Sequence, residues 1–288
     1  MKKELKTIIE ISKEAGKILM KYYKKEYETN IKNNDQHDFV TTADKESEKY
    51  IIENIKKNFP RDYILSEETE ENNINYNSRV WMIDPLDGTK NFIHHGKDFV
   101  VMIGLCINGE PKIGVVYSPV KDILYYGEKN KGSYKLYKNK ISKLKVGKIS
   151  NLKDSRLITR STIGEDKPEI RPRDIIIKTL KTKEKIPQGS IGGVISLIAE
   201  NKGDLYFITN NRAGKWDTCS PQVILEEAGG KITDFNGNSL DYKQKNAKWE
   251  NYFAMSNRLL HKELLHNIQN IIKKKNLMAV MSAFKSPK

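Results

Sequence analysis

The sequence predicts two halves of different class, an α+β region followed by an α/β region. Three observations carry this. Two amphipathic helical stripes occupy the first 60 residues, strand and turn signals follow one another from 63 to 137, and helix and strand signals alternate from about 157 onward. At 288 residues the chain has room for one or two domains and for a core that needs no covalent staples.

Residues 3–25 place Ile8, Ile11, Ala15, Ile18, Leu19 and Tyr22 on one helical face, and 43–59 repeat the pattern with Ala43, Ser47, Tyr50, Ile51, Ile55 and Phe59. Thr41 or Thr42 caps the second helix and Pro60 follows its end. Two antiparallel-packed helices are the simplest arrangement. Strand signals then fall at 63–65, at 80–83 (stopped by Asp84-Pro85), at 99–107, at 112–117 and at 123–128 and 132–137. Asn108-Gly109 between apolar runs is a hairpin turn, so this sheet is largely antiparallel. The second half offers a strand at 157–159, helices at 174–182 and 192–200, and a strand at 205–209. A helix at 217–228, ended by Gly229-Gly230, leads into strands at 231–235 and 252–255. The polar stretch 138–153 separates a domain of residues 1–145 from one of 146–275, with 276–288 as a patternless tail.

Charge narrows the partners. The chain carries 51 Lys+Arg against 37 Asp+Glu, a formal net charge of +14. Nucleic acid, an acidic membrane and a small anionic substrate all suit such a surplus. The basic residues are spread out, with only short runs such as Lys24-Lys25, Lys56-Lys57 and 273–275. That pattern argues against specific nucleic-acid binding and leaves a diffuse field that favours a small phosphorylated substrate. No apolar run approaches the ~20 residues of a membrane span. The amino terminus opens on a charged amphipathic pattern, and the two cysteines, Cys106 and Cys219, form no CxxC pair. A cytoplasmic protein, monomer or homodimer, is expected. No Gly-x-x-x-x-Gly-Lys-[Ser/Thr] or Gly-x-Gly-x-x-Gly motif is present.

The chemistry lies in the acidic residues. Asp84-Pro85-Leu86-Asp87-Gly88-Thr89 ends an apolar strand with two carboxylates three residues apart and a carbonyl between them. Hard cations such as Mg²⁺ take oxygen ligands of this kind, with substrate phosphate completing the shell. Glu67 follows the 63–65 strand, and Asp217 stands at a helix start. Alone, each has an ordinary structural use, as a turn residue, a solvated loop or a cap. Together, Glu67, Asp84, Asp87 and Asp217 would repel one another unless cations intervened. Asp44, after Val40-Thr41-Thr42-Ala43, can pair with the Thr89 hydroxyl to orient and deprotonate a water. His94-His95 lacks partners at ligand spacing, and Cys219 reads as a small buried residue.

These segments resemble the lithium-sensitive, inositol-monophosphatase-like phosphatases, a superfamily that includes inositol monophosphatases, 3′(2′),5′-bisphosphate nucleotidases and related sugar phosphatases. The matching elements are Val40 to Asp44, Ser66-Glu67-Glu68, Asp84 to Thr89, and Trp216-Asp217 through Gly230, in the family's order, and the likeness spans about residues 5–265. It implies a five-layer α-β-α-β-α sandwich and two or three Mg²⁺ ions held by Glu67, Asp84, the Leu86 carbonyl, Asp87 and Asp217. It implies water activation by Asp44 and Thr89 with help from Glu67, and phosphate held by the Gly88 and Thr89 amides.

For the substrate, Lys90, the segment Thr159-Arg160-Ser161, Gly189-Ser190 and Trp216-Asp217-Thr218 look closest to the bisphosphate nucleotidase branch. Lys90, Arg160, Ser190 and Arg212 are its expected substrate contacts. Two positions depart. Asn210 stands where inositol monophosphatases carry an acid for sugar hydroxyls, and Gly193 stands where the nucleotidase branch often has Lys. Asn91-Phe92 looks more like the inositol side. The expectation is hydrolysis of the 3′-phosphate of adenosine 3′,5′-bisphosphate, with an inositol or sugar phosphate as the alternative.

Overall fold

The computed structural model describes residues 2–23, 29–31, 39–69, 73–160, 171–210 and 212–277. Ser161 and most of the expected tail, 278–288, lie outside the described residues.

Helices α1 (Lys2–Tyr22) and α2 (Thr42–Asn58) form where the apolar stripes predict, with the short pair β1 (Thr29–Ile31) and β2 (Phe39–Thr41) between them. The first main sheet has seven strands in the order β3 (Tyr63–Ser66), β4 (Arg79–Asp87), β5 (Val100–Ile107), β6 (Glu110–Ser118), β7 (Ile123–Glu128), β8 (Gly132–Tyr137) and β9 (Lys140–Lys143). Only the β3–β4 pair is parallel. The Asn108-Gly109 turn holds both residues at positive φ, 55° and 75°, and Ile107 pairs with Glu110 across it. That is the twist a two-residue hairpin needs. Helix α3 (Thr89–Ile93) follows β4.

After residue 150 come β10 (Arg156–Arg160), α4 (Pro172–Thr179), β11 (Glu184–Gln188), α5 (Ile191–Ala199), β12 (Leu205–Ile208), α6 (Lys215–Glu227), β13 (Lys231–Asp234), β14 (Phe253–Ser256) and α7 (His261–Lys274). The second sheet runs β11-β10-β12-β14-β13, with β11, β10 and β12 parallel to one another. Here the helix expected at 174–182 starts two residues sooner and stops at Thr179, and the helix expected at 217–228 begins at Lys215. Helix α7 and strand β11 carry no sequence expectation. Leu277, placed in the expected tail, is buried in the core beneath α7.

The layers follow from which faces bury apolar residues. Ile8, Ile11, Ala15, Leu19, Ile51 and Ile55 pack on one face of the first sheet with Trp81, Ile83, Val101, Ile103 and Val115. The opposite face, through Val80, Met82 and Cys106, meets Val194, Ile195 and Ile198 of α5 and Cys219 and Leu225 of α6, and beyond them Met255 of the second sheet. The far face of the second sheet, Leu157, Leu205, Phe207 and Ala254, is covered by Ile176 of α4 and by Leu264, Ile268 and Ile272 of α7. This is the five-layer α-β-α-β-α sandwich. It explains why β5 reads as a continuous apolar run although its neighbours are antiparallel, because both of its faces are covered. Helix α6 lies directly on the first sheet where Gly104 pairs with Gly114. A Cβ at Gly114 would stand 2.2 Å from the Ser220 carbonyl oxygen, so side chains on both residues would lift the helix off.

Candidate active site

The strand expected to stop at Asp84-Pro85 instead continues to Asp87. Asp84 pairs with Met102 and Asp87 with Val100, so three steps along β4 match two along β5. The extra residue is a bulge, the one place inside a ladder where the missing N–H of Pro85 does no harm. In a regular strand, residues three apart point to opposite faces. The bulge cancels that alternation and turns both carboxylates toward the layer of α5 and α6. Gly88 then takes φ +97°, and a Cβ there would stand 2.6 Å from the Asp98 carbonyl oxygen, so this step into α3 requires glycine.

Backbone amides orient the carboxylates. Leu86 N–H donates to Asp84 Oδ1 at 3.0 Å, Gly192 N–H at the start of α5 donates to Asp87 Oδ2 at 2.6 Å, and Gly214 N–H donates to Asp217 Oδ2 at 2.6 Å. Asp217 therefore caps α6 and faces the cluster at once. Carboxylate oxygens of Asp84, Asp87 and Asp217 lie within 4.8 Å of one another, and all three residues are buried. Burial, then repulsion from Glu67, Asp87 and Asp217, pushes Asp84 well above the usual carboxylate range. Burial, then Glu67 and Asp87, does the same to Asp217. Asp87 is pushed up to about 6, mainly by burial, with the Gly192 and Ile191 amides and the Arg160 charge favouring its anion. Amides fix such groups in place without neutralising them. An all-oxygen donor set of mutually repelling, buried carboxylates fits a hard divalent cation.

Glu67 is half-buried at the end of β3, and its charge reaches all three aspartates. Glu48, which sequence reading passes over, holds the loop behind it, accepting from Glu68 N–H at 3.2 Å and from the Thr69 hydroxyl at 2.8 Å. Asp44 is buried in the first turn of α2. Its Oδ2 accepts from Thr41 N–H at 2.8 Å and from the Thr41 hydroxyl, so Thr41 is the cap and Oδ1 is the oxygen on the Thr89 side. The Thr89 hydroxyl stands 3.4 Å from Asp44 Oδ1 and 3.0 Å from the Leu86 carbonyl oxygen. Its single proton favours the shorter contact here, with Asp44 next in reach. Ser47, one turn along the helix from Asp44, donates to the Pro85 carbonyl at 3.1 Å and ties α2 to the bulge.

Among the expected substrate contacts, Arg160 ends β10 and its positive charge acts on both Asp87 and Asp217. Ser190 caps α5, accepting from Gly193 N–H at 3.2 Å, and lies against Gly88. Lys90 is half-buried in α3, and Arg212 is exposed in the loop before α6, its N–H donating to Asn210 Oδ1 at 3.2 Å. Both cysteines are free and buried, Cys106 pushed up to about 12 by burial, which makes them poor nucleophiles.

The sequence profile of the inositol monophosphatase family matches residues 1–273. The chain belongs to this family. The inositol-1-monophosphatase of Bacillus subtilis is 31% identical over 212 residues, 73% of this chain and 78% of that one. The Thermotoga maritima IMPase structure superposes with a TM-score of 0.80 at 25% identity, covering 94% of this chain and 99% of that one. The structure of SaIMPase-II with 2′AMP bound gives a TM-score of 0.73 at 25% identity, covering 93% and 97%. The chain is a magnesium-dependent phosphatase, and its fold is the family's. No helix among the described residues is long and apolar enough to cross a membrane.

Proposed function

We propose that the chain hydrolyses the 3′-phosphate of adenosine 3′,5′-bisphosphate, with two or three Mg²⁺ ions held by Glu67, Asp84, the Leu86 carbonyl, Asp87 and Asp217. The bulged turn carries the reading of the site, because it gathers Asp84 and Asp87 with Asp217 into one buried cluster that makes no salt bridge among the described residues. Magnesium held there supplies Lewis-acid neutralisation of charge on the phosphoryl group. The protein's own part begins with position. The Gly88 and Thr89 amides, at the first turn of α3, hold the phosphate. The Thr89 hydroxyl accepts a proton from the attacking water as its own passes to Asp44 Oδ1, which the Thr41 bonds hold on that side. Glu67 assists from the end of β3.

Two features support a nucleotide leaving group. Asn210 replaces the acid that would bind sugar hydroxyls, and Arg160 offers positive charge at the cleft. The 2′AMP complex of SaIMPase-II is a related precedent. The other reading, inositol 1-phosphate, draws on Asn91, whose amide donates to the Gly189 carbonyl at 3.2 Å, and on Gly193. A Cβ on Gly193 would stand 2.7 Å from the Gln188 side chain and from Ser190 Oγ, so the lysine of the nucleotidase branch would have to displace both side chains. Phosphate release from adenosine 3′,5′-bisphosphate and from inositol 1-phosphate, each with and without Mg²⁺, decides between them. Higher kcat/KM on the nucleotide is expected, and a preference for inositol 1-phosphate would overturn the choice.

A further inference from the structure

The first sheet ends on the hairpin β8–β9, and the chain around it is strongly basic. Between residues 129 and 153 stand nine lysines and no acidic residue, a net +9 of the chain's +14. Lys129, Lys131 and Lys135 pair with Glu110, Glu128 and Glu200. Lys138, Lys140, Lys143, Lys145 and Lys148 are exposed and form no ion pair among the described residues. The hairpin turns at Lys138-Asn139, both at positive φ, 47° and 60°, with Tyr137 opposite Lys140 and Leu136 opposite Ile141. Residues directly opposite share a face. Leu136 packs against the core that α1 and α2 cover, but Ile141 lies beyond it and is 64% exposed. Tyr137 is on the other face, 39% exposed, with Lys135 Nζ and Lys138 Nζ 5.7 and 5.3 Å from its ring centre. These are two of the four large hydrophobic side chains exposed among the described residues.

We propose that this edge is a peripheral docking surface for a membrane carrying anionic headgroups, with the unpaired lysines at the headgroups and Ile141 and Tyr137 at the acyl boundary. Such an interface stabilises both kinds of side chain at once. Two apolar groups on opposite faces of one edge need a partner that yields around it, which a lipid surface does and a rigid protein face does not. Like charges oppose a second copy, and a four-residue edge strand flanked by lysines resists pairing with a peptide. Nucleic acid would use the charge but not Ile141, and the Tyr137 ring, attended by its own two lysines, is poorly placed to stack on a base. Strand β9 is five strands from β4, about 24 Å at ~4.8 Å per strand, so docking here does not cover the carboxylate cluster.

The test is cosedimentation of the full chain with vesicles of phosphatidylcholine alone and of phosphatidylcholine with about one third phosphatidylglycerol. The wild type should bind the anionic vesicles at least about tenfold more tightly than the neutral ones, and less tightly as salt rises. Lys138→Gln, Lys140→Gln and Lys143→Gln together should weaken that binding at least about tenfold. Ile141→Ser should weaken it severalfold. All four positions are exposed, so both variants should keep the wild-type melting temperature, which is measured alongside. Equal binding to the two kinds of vesicle, or anionic binding unchanged in both variants, would overturn the proposal. Polyuridylate, a single-stranded RNA, is the second probe. If the lysine variant loses both vesicles and polyuridylate while Ile141→Ser binds both as the wild type does, the surface belongs to nucleic acid and the membrane assignment falls.

Discussion

The two ends of the parallel strands β10 and β12 treat buried charge in opposite ways. At the amino end, Arg156 opens β10 and Asp204 immediately precedes β12. The Arg156 Nε and Nη2 donate to the two oxygens of Asp204 at 2.8 and 3.0 Å, and the Arg156 N–H adds a third bond at 2.8 Å. Asp204 is wholly buried, yet its charge is matched within the fold. At the carboxyl end, Asp87 and Asp217 face Asp84 with backbone amides to orient them and, among the described residues, no salt bridge. Both ends bury aspartates. The fold closes the charge where only structure is at stake and leaves it open where, in the proposed mechanism, a cation enters.

The strongest attempt to break that contrast is to remove an open carboxylate. Asp84→Asn or Asp87→Asn should lower Mg²⁺-dependent turnover about a thousandfold, the ~4 kcal/mol expected when Lewis-acid stabilisation of the transition state is lost. The same substitution relieves a repelled, buried charge, so the metal-free variant should melt no lower than the metal-free wild type. Near-normal turnover in either variant would sink the ligand assignment.

Asp44 sharpens the contrast, because in the proposed mechanism it serves both purposes at once. Asn at this position can still accept from Thr41 N–H and keep the cap, but its amide cannot take a proton from Thr89. Asp44→Asn should therefore lower kcat on the order of a hundredfold, the low end for loss of general-base help, with KM nearly unchanged. A loss of thermal stability in proportion would make Asp44 a cap and nothing more.

The closed end predicts the reverse pattern. Asp204→Asn leaves the Arg156 guanidinium partly buried against a neutral amide, and breaking such a pair costs about 3–5 kcal/mol. Denaturant midpoints should show that loss, while kcat per folded molecule stays within about twofold of wild type.

How much of this was legible differs between the fold and the site. The stripes of α1 and α2 and the Asn108-Gly109 hairpin could be read because local chemistry alone specifies them. The bulge could not. Asp-Pro reads as a strand stop because proline cannot donate to a ladder, and only the paired strand β5 shows that no donor is needed there. Strand β11, Glu-Lys-Ile-Pro-Gln, has no apolar run and owes its existence to pairing with β10. Helix α7 carries a readable stripe in Leu264, Leu265, Ile268, Ile271 and Ile272, but its start at Leu260 has no side-chain cap to announce it. In the site, the acidic residues and their order stood out by type. Glu48 did not, because a charged residue in a helix reads as solvated until burial is known. One signal for Glu48 was available, since it lies four residues after Asp44 on the same helical face.

The smallest expected effect comes from protons at the open end. Asp87 is pushed up to about 6, against an ordinary carboxylate near 4, so the folded chain holds this proton more tightly than the unfolded one. The stability it contributes is complete below about pH 4 and is lost as pH rises through about 6. Asp84 and Asp217 shift in the same direction. Without metal, the wild-type melting temperature should fall between about pH 5 and pH 7 relative to Asp87→Asn, by a few degrees at the roughly 2–4 °C per kcal/mol of a chain this size. Magnesium competes with those same protons, so its stabilising effect should grow across that window. Arg156 and Asp204 form a complete pair, so Asp204→Asn should shift the melting curve without adding pH dependence there. If metal-free wild type and Asp87→Asn instead ran parallel from pH 5 to 7, the carboxylates would have found their compensation within the protein, and the difference between the two ends would vanish.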